Sequence, residues 1–517
     1  MKKFRFGLVL LAVLALMGTK VFAGGGQQSG PTASAGGEID LIRIGVIAMP
    51  TNGDPTVSVG NANTRVNYNV HDTLIYYDYK DNGTLKPMIA ESWERIDGRT
   101  VEFRLRRDVL FHNGDRLTSA DVKFSFDRLK QNISGTTLAA SCMETIERVD
   151  IIDDYTCRVV TSVIDPLLES RLAAGHWGSV ILPKDYIERV GQDEFRLNPV
   201  GTGPYKWVSR TPNQIVLERF DDYYGEKAPV RRAEFYVYAE VAPRITALAT
   251  GELDIIGEVP IDQIATVENM GGVRVEKFLI QNYHVLSYNT NHPVMSDRRL
   301  RQALNLGINR ELLVQTLWHG DAVVPRGHQY VEFGDLYFPD YPMPQYNPQR
   351  ARQLLAESSY NGELITYRVT SYTFAREAAE AIVDMWRQIG VNAQVVNVQS
   401  TNEDVLVVTW SNSMRFTDPA GGLWLLWGPP EAGSSFGTMG RWQMTPEYIR
   451  TGQEMLPTMD RTRRAQLARR LMEIADEEVP FSLLYQPIDA FGISNRINWT
   501  PTNFHAINLR AGNISLR

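Results

Sequence analysis

Two stretches of this chain change their hydrophobic period from strand-like to helix-like and back, and that pattern restricts the fold class more than any other feature. In the first, "RRAEFYVYAE" reads as a strand, Pro243 sits near the start of a helix through "RITALAT", Gly251 ends the helix, and "LDIIG" is the next strand. In the second, "LITYRVTSYT" leads into the helix "FAREAAEAIVDMWRQI", with Gly390 as its cap and "VNAQVVNV" as the returning strand. Each is a βαβ unit. Two helices lie between them, "SDRRLRQALNLG" and "NRELLVQTLWHG", opened by the capping residues Ser296 and Asn309 and closed by glycine. The chain is therefore α/β, with at least two lobes in series, as 517 residues exceed what one core can hold.

The earlier part fits around these units. "IDLIRIGVIA" is a buried strand by its apolar run, "TVEFRLRRDVLFHNG" alternates like a half-exposed strand ending in a turn, and Ser119 or Thr118 caps the helix "ADVKFSFDRLK". A helical or mixed segment over residues 70–195 is inserted early.

The first residues carry an export pattern. Lys2, Lys3 and Arg5 form a positive start, "FGLVLLAVLALM" is an apolar core too short to span a membrane, and "VFA" before Gly24 supplies small residues for cleavage. Cleavage there would remove four positive charges from a net charge of −7 and leave −11, which argues against nucleic acid as a partner. No cysteine lies at the cleavage site to carry a lipid, and "GGGQQSGPTASAGG" that follows is a flexible tether. Cys142 and Cys157 are the only cysteines; in the hairpin "ERVDIIDDYTCRVV" Cys157 would face about Asp150, several residues from Cys142, so the spacing argues against a bridge between them.

Catalytic patterns fail on context. "GSSFG" matches a nucleophile elbow that would make Ser435 a hydrolase nucleophile, but the elbow must join a strand to a helix, and "WGPPEA" and "TMGRWQMTP" are neither. "NPVGTGPYKW" lacks the helix and the Lys-Ser/Thr pair of a phosphate loop, and a hairpin through "QIVLERF" follows instead. The eight histidines are scattered with no metal-binding spacing; His112 and His328 sit in turns, where a hydrogen-bonding surface role is the simpler reading. No metal or cofactor is implied. In "GGLWLLWGPP", Trp424 and Trp427 stand three apart in a segment bounded by glycine and proline, so a ring lining a cleft competes with core packing.

Eight blocks in order resemble the extracytoplasmic solute-binding proteins of peptide- and nickel-type ABC importers: "LKPMIAESWE", "VEFRLRRDVLFHNGDRLTSADVKFSFDR", "NPVGTGPYKW", "ATGELDI", "LSYNTN", "RRLRQALNLGINRELL", "YNPQRARQLLAES" and "EEVPFSLLYQP". The resemblance covers nearly all of the chain after the export segment. It implies a two-lobed periplasmic-binding-protein fold (type II, cluster C), with an extra inserted subdomain in the first lobe and a two-strand hinge near His284 to Asn289 and Phe481 to Gln486. On that reading residues 1–23 are a signal peptide and 24–37 a tether. Lobe I is 38–69 with 197–282 and 486–517, the inserted subdomain is 70–196, and lobe II is 283–485. "NPVGTGPYKW" then looks like the re-entry into lobe I. The implied protein is a periplasmic, monomeric, non-enzymatic receptor that is not lipidated. It would deliver a solute, a peptide by preference, to the permease and ATPase subunits of an importer.

The departures from the peptide pattern concern the ligand. Where peptide binders place a carboxylate for the peptide's amino end, "VVTWSNSMRFTDP" holds Arg415, and a guanidinium cannot neutralise an ammonium. The arginine that dipeptide binders use for the carboxylate would fall near Val369, with Arg368 and Tyr372 as neighbours, and the usual helix between "VNAQVVNV" and "EDVLVVTW" is missing. The ligand-binding residues implied are Trp410, Arg415, Asp418, Trp424, Trp427 and Tyr372. An anionic non-peptide such as an opine-like conjugate, or an oligosaccharide, is the alternative ligand, and a surface position is the alternative for Arg415.

Overall fold

The structure is a computed structural model; it describes residues 37–517 apart from 58–59, 82, 132–136, 175–177, 371–372, 398–404, 415, 430–440 and 503–504. Two large sheets carry it. The first has seven strands in the order Val273–Leu279, Ile488–Ser494, Ile255–Ile256, Ile39–Val46, Val230–Val237, Gln214–Arg219, Tyr205–Arg210. Ile39–Val46 runs parallel to both of its neighbours. The second has five, in the order Ala393–Val396, Ile365–Arg368, Val407–Ser413, Asn282–Tyr288, Phe481–Tyr485. Every residue of Asn282–Tyr288 and of Phe481–Tyr485 is buried, as expected of strands covered on both faces. A third sheet of four antiparallel strands, Ala90–Arg95, Thr100–Leu105, Thr156–Thr161 and Ile146–Asp153, is separate from both.

Both βαβ units appear, with helices Val241–Ala249 and Ala375–Gln388, and the left-handed φ of Gly251 (76°) and Gly390 (101°) shows why glycine ends each one. Thr118, not Ser119, caps Ser119–Lys130; Asp121 accepts from the Thr118 amide and completes a capping box. The helix Arg298–Leu306 is capped by Asp297 rather than Ser296. Ser296 instead ends a short helix, Pro293–Ser296, and its hydroxyl is used there on the Pro293 carbonyl. Cys157 faces Ile151, one residue from the expected Asp150: the turn falls one residue later, with Asp153 opposite Thr156, and an irregularity after Ile151 takes back half of the resulting shift; both cysteines are buried thiols.

The chain passes between the large sheets at Ile280–Gln281 and at Gln486–Pro487. The expected crossings, His284 to Asn289 and Phe481 to Gln486, lie largely inside the second sheet, where Val285 faces both Trp410 and Leu483. An unbroken apolar run carries no mark of where a strand changes partners. One core cluster joins Tyr77, Phe103 and Phe111, in and around the four-stranded sheet, to Tyr283 and Val285 of the five-stranded sheet and to Trp424, Trp427 and Leu471, so the two halves touch along a seam.

Candidate functional site

The seam is organised from a corner made by "NPVGTGPYKW". Gly203 N–H donates to Val70 O at 2.9 Å, and a Cβ on Gly201 would overlap that same carbonyl oxygen. Glycine is required here by close approach of two backbones, not by positive φ. The His112 ring closes the corner: Nδ1 accepts from Gly201 N–H at 3.2 Å, and Nε2 donates to Gly203 O at 2.9 Å. Burial holds this imidazole neutral, with its pKa lowered to about 4. His112 is therefore a structural clamp, and the surface role read from its turn is corrected.

The corner fixes the segment from Asn67 to Tyr79, which walls a cavity enclosing about 580 Å³ of empty space, part of it open to solvent. Asn67, His71 and the rings of Tyr68, Tyr76, Tyr77 and Tyr79 line it. Arg510 also reaches the wall, but its guanidinium is committed to Asp72 Oδ1 at 2.6 Å, Tyr68 O at 2.6 Å and Tyr223 Oη at 2.9 Å. The same four tyrosines and Arg510 border a wider groove of about 1210 Å³ beside it, with Tyr223, Tyr224 and Arg106 opposite. The cavity abuts the seam. Tyr77 donates to Ser170 O at 2.9 Å and also reaches Thr417 of the five-stranded half, which packs against Gly83 as well. Next to it the Arg171 guanidinium lies 5.0 Å over the Phe416 ring.

Across the seam, the expected ligand residues have different fates. Trp410 is half-buried on Val407–Ser413, on the sheet face that packs against the shared core. Asp418 is spent within its own lobe: its two oxygens take Arg464 at 2.8 Å each, and Oδ1 accepts from Ala420 N–H at 2.8 Å. Trp424 is buried against Tyr448, with Gly452 leaving room for its ring. Trp427 is buried with its ring 4.1 Å from that of Phe481. Both tryptophans belong to the core cluster shared by the two halves. Arg415, Tyr372 and the elbow serine Ser435 lie outside the described residues.

His328 is buried, not on the surface: its Nε2 meets the Asn412 side chain and its ring stands edge-on to Tyr283 and Phe481. Arg441 was not legible in the sequence. It is 4% exposed, donates to Val405 O at 3.0 Å, and among the described residues has no carboxylate partner. Burial first, and repulsion from Arg368 second, lower its pKa to about 10. Arg368 ends the strand Ile365–Arg368 and pairs with Val408, two residues before Trp410. Two guanidiniums thus share one part of the second lobe.

A two-lobed α/β protein whose halves are joined by two strand crossings, with a walled cavity in the first half beside their contact, has the architecture of a solute-binding protein. The chain belongs to the bacterial extracellular solute-binding proteins, family 5, whose middle-region model matches residues 84–434. Members of this family are binding proteins. The oligopeptide-binding protein AppA of Bacillus subtilis (strain 168) is 25% identical over 467 residues, covering 80% of this chain and 82% of that protein. Among solved structures, the periplasmic binding protein DppA from Helicobacter pylori in complex with the peptide STSA superposes with a TM-score of 0.79 at 21% identity, covering 93% of this chain and 98% of the other. AgaA from A. tumefaciens R10, in complex with agropinic acid, superposes with a TM-score of 0.75 at 21% identity, covering 92% and 99%. These likenesses confirm the two-lobed fold.

Proposed function

We propose that this chain captures a peptide between its two lobes outside the cytoplasm and delivers it to the permease and ATPase subunits of an ABC importer. The observation that carries the reading is the pair of crossings at Ile280–Gln281 and Gln486–Pro487 between two sheets, together with a first-lobe cavity whose lining residue Tyr77 also reaches Thr417 of the second half. A solute contacting both lobes favours the closed form because only that form makes both sets of contacts. The peptide assignment is supported by the names of AppA and DppA. On this reading residues 1–23 are a cleaved signal, 24–37 a tether, 70–196 the inserted subdomain and 283–485 the second lobe, and the protein works as a non-lipidated monomer without chemistry of its own. Among the described residues no helix is long and apolar enough to cross a membrane. Trp410, Arg415 and Tyr372 are the residues we assign to ligand contact in the second lobe.

A second reading, an anionic non-peptide ligand, is favoured by one observation: Arg441 is buried beside Arg368 and has no carboxylate partner among the described residues, and such a site suits a carboxylate or phosphate. The agropinic acid held by AgaA is such a ligand class. Native mass spectrometry of protein purified from its own host identifies what is bound. Solution scattering with and without that ligand tests the mechanism: the expected result is a smaller radius on binding. A ligand that binds tightly at constant radius overturns the closure reading.

A further inference from the structure

Several buried polar atoms of the first lobe lack a partner, among them Ser119 Oγ, Ser179 Oγ, Thr202 Oγ1 and Trp207 Nε1, but at one place two whole side chains that line the same cavity are left unpaired. Asn69 donates to Ile507 O at 2.9 Å and accepts from Leu509 N–H at 3.0 Å, and His112 uses both ring nitrogens. Asn67, two residues earlier, is 6% exposed, yet neither its Oδ1 nor its Nδ2 has a hydrogen-bond partner. His71 is 4% exposed, and neither of its ring nitrogens has a partner of good geometry. Both side chains line the cavity under the tyrosines. A buried amide and a buried imidazole left unpaired each cost on the order of 1–3 kcal/mol, and two in one cavity wall indicate a group that completes them.

We propose that this cavity receives an uncharged, hydrogen-bonding group of the bound solute, either a carboxamide or a hydroxylated ring. Asn67 offers a carbonyl acceptor and an amide nitrogen with two N–H donors, and a neutral imidazole offers one donor and one acceptor, so a complementary group that both donates and accepts satisfies them. Charge is disfavoured from both sides. Burial first, and the nearby His112 second, keep His71 neutral, with its pKa lowered to about 3, against the Asp54 carboxylate and the Gly53 backbone, and Asp54 is itself paired with Arg128. The cation at the wall, Arg510, is already paired with Asp72. A carboxylate would therefore find no available cation there, and an ammonium no available carboxylate. The rings of Tyr68, Tyr76, Tyr77 and Tyr79 supply flat apolar surface for the remainder of the group. The inference rests on the receptor reading and narrows it: whatever holds the rest of the solute, the part seated in the first lobe is neutral and polar.

The test uses the whole mature protein labelled with ¹⁵N-histidine and four separate probes at neutral pH: acetamide, glucose, acetate and methylammonium. The His71 imidazole resonances are expected to shift saturably with acetamide or with glucose and to stay unmoved by the two ions; which neutral probe acts tells a carboxamide from a hydroxylated ring. Asn67→Leu should weaken the effective probe about tenfold, the loss of roughly one to two buried hydrogen bonds. Shifts of equal size with either ion, or no shift with any of the four, overturn the proposal on the unaltered protein, whether or not the variant folds. Scattering keeps the two ideas apart. Closure on the native ligand with His71 unmoved by every probe removes the subsite alone, while a probe response without closure spares the subsite and removes the receptor mechanism.

Discussion

Asp418 was expected at the ligand, and the structure gives it a bond network that predicts a different phenotype. Its carboxylate grips Arg464 through two bonds of 2.8 Å, and the guanidinium continues to Met455 O at 2.6 Å and to Leu456 O and Thr458 O at 3.2 Å each. The two side chains are 7% and 2% exposed. Asp418→Ala removes the one carboxylate that pairs with this buried guanidinium among the described residues, and stripping one partner from such a pair costs about 3–5 kcal/mol. The same change frees Ala420 N–H at the start of the turn Ala420–Trp424, adding roughly 1 kcal/mol. Urea unfolding should therefore show a loss of about 4–6 kcal/mol at an unchanged slope. Asp418→Ala combined with Arg464→Met should recover a substantial part of it, since a well-packed apolar pair avoids the uncompensated charge. If Asp418→Ala unfolds within about 1 kcal/mol of the parent, as an exposed ion pair would, yet no longer binds the co-purified ligand, the carboxylate serves the ligand and the scaffold argument is wrong.

Three further outcomes are expected. Gly201→Ala forces a Cβ into the Val70 carbonyl and should lower the melting temperature while leaving the Gly203→Val70 bond partly broken, seen as faster amide exchange at Gly203; an unchanged melt refutes the close-approach reading. Five histidines have pKa values lowered by burial, His71 to about 3 and His112, His284, His328 and His505 to about 4, whereas burial raises Asp489 to about 6. Between about pH 6.5 and 4 the unfolded chain binds protons on these histidines that the fold refuses, so stability falls with pH by about 1.4 kcal/mol per unit for each, less the opposing uptake by Asp489 below pH 6; urea titrations at pH 7, 6 and 5 check it, and a flat profile contradicts it. Arg415→Ala should weaken an anionic native ligand about tenfold to a hundredfold by calorimetry and Arg415→Asp more, by loss of a charge-assisted bond; equal affinities of parent and both variants refute a role for Arg415 in holding an anionic ligand and allow a peptide with a free amino end.

The sequence by itself determined the elements and their class, because local chemistry suffices for them. The βαβ periodicity, the caps Thr118 and Asn309, and the left-handed glycines 251 and 390 all act within a few residues, and each is found where the pattern put it. The family too was readable, since its blocks run along the chain in order. Partnerships across sequence were not. Nothing near Asp418 announces Arg464, 46 residues on, and nothing in "PRGHQ" says that His328 ends against Asn412 in the core. Arg441 and Arg368 approach each other only because a strand end and a distant loop converge on one sheet. The unpaired state of Asn67 beside the satisfied Asn69 is decided entirely by which of two neighbouring side chains turns toward the C-terminal segment and which toward a cavity. Hydrogen-bond satisfaction and desolvation depend on what surrounds a group in space, and that surrounding exists only after the two lobes have folded.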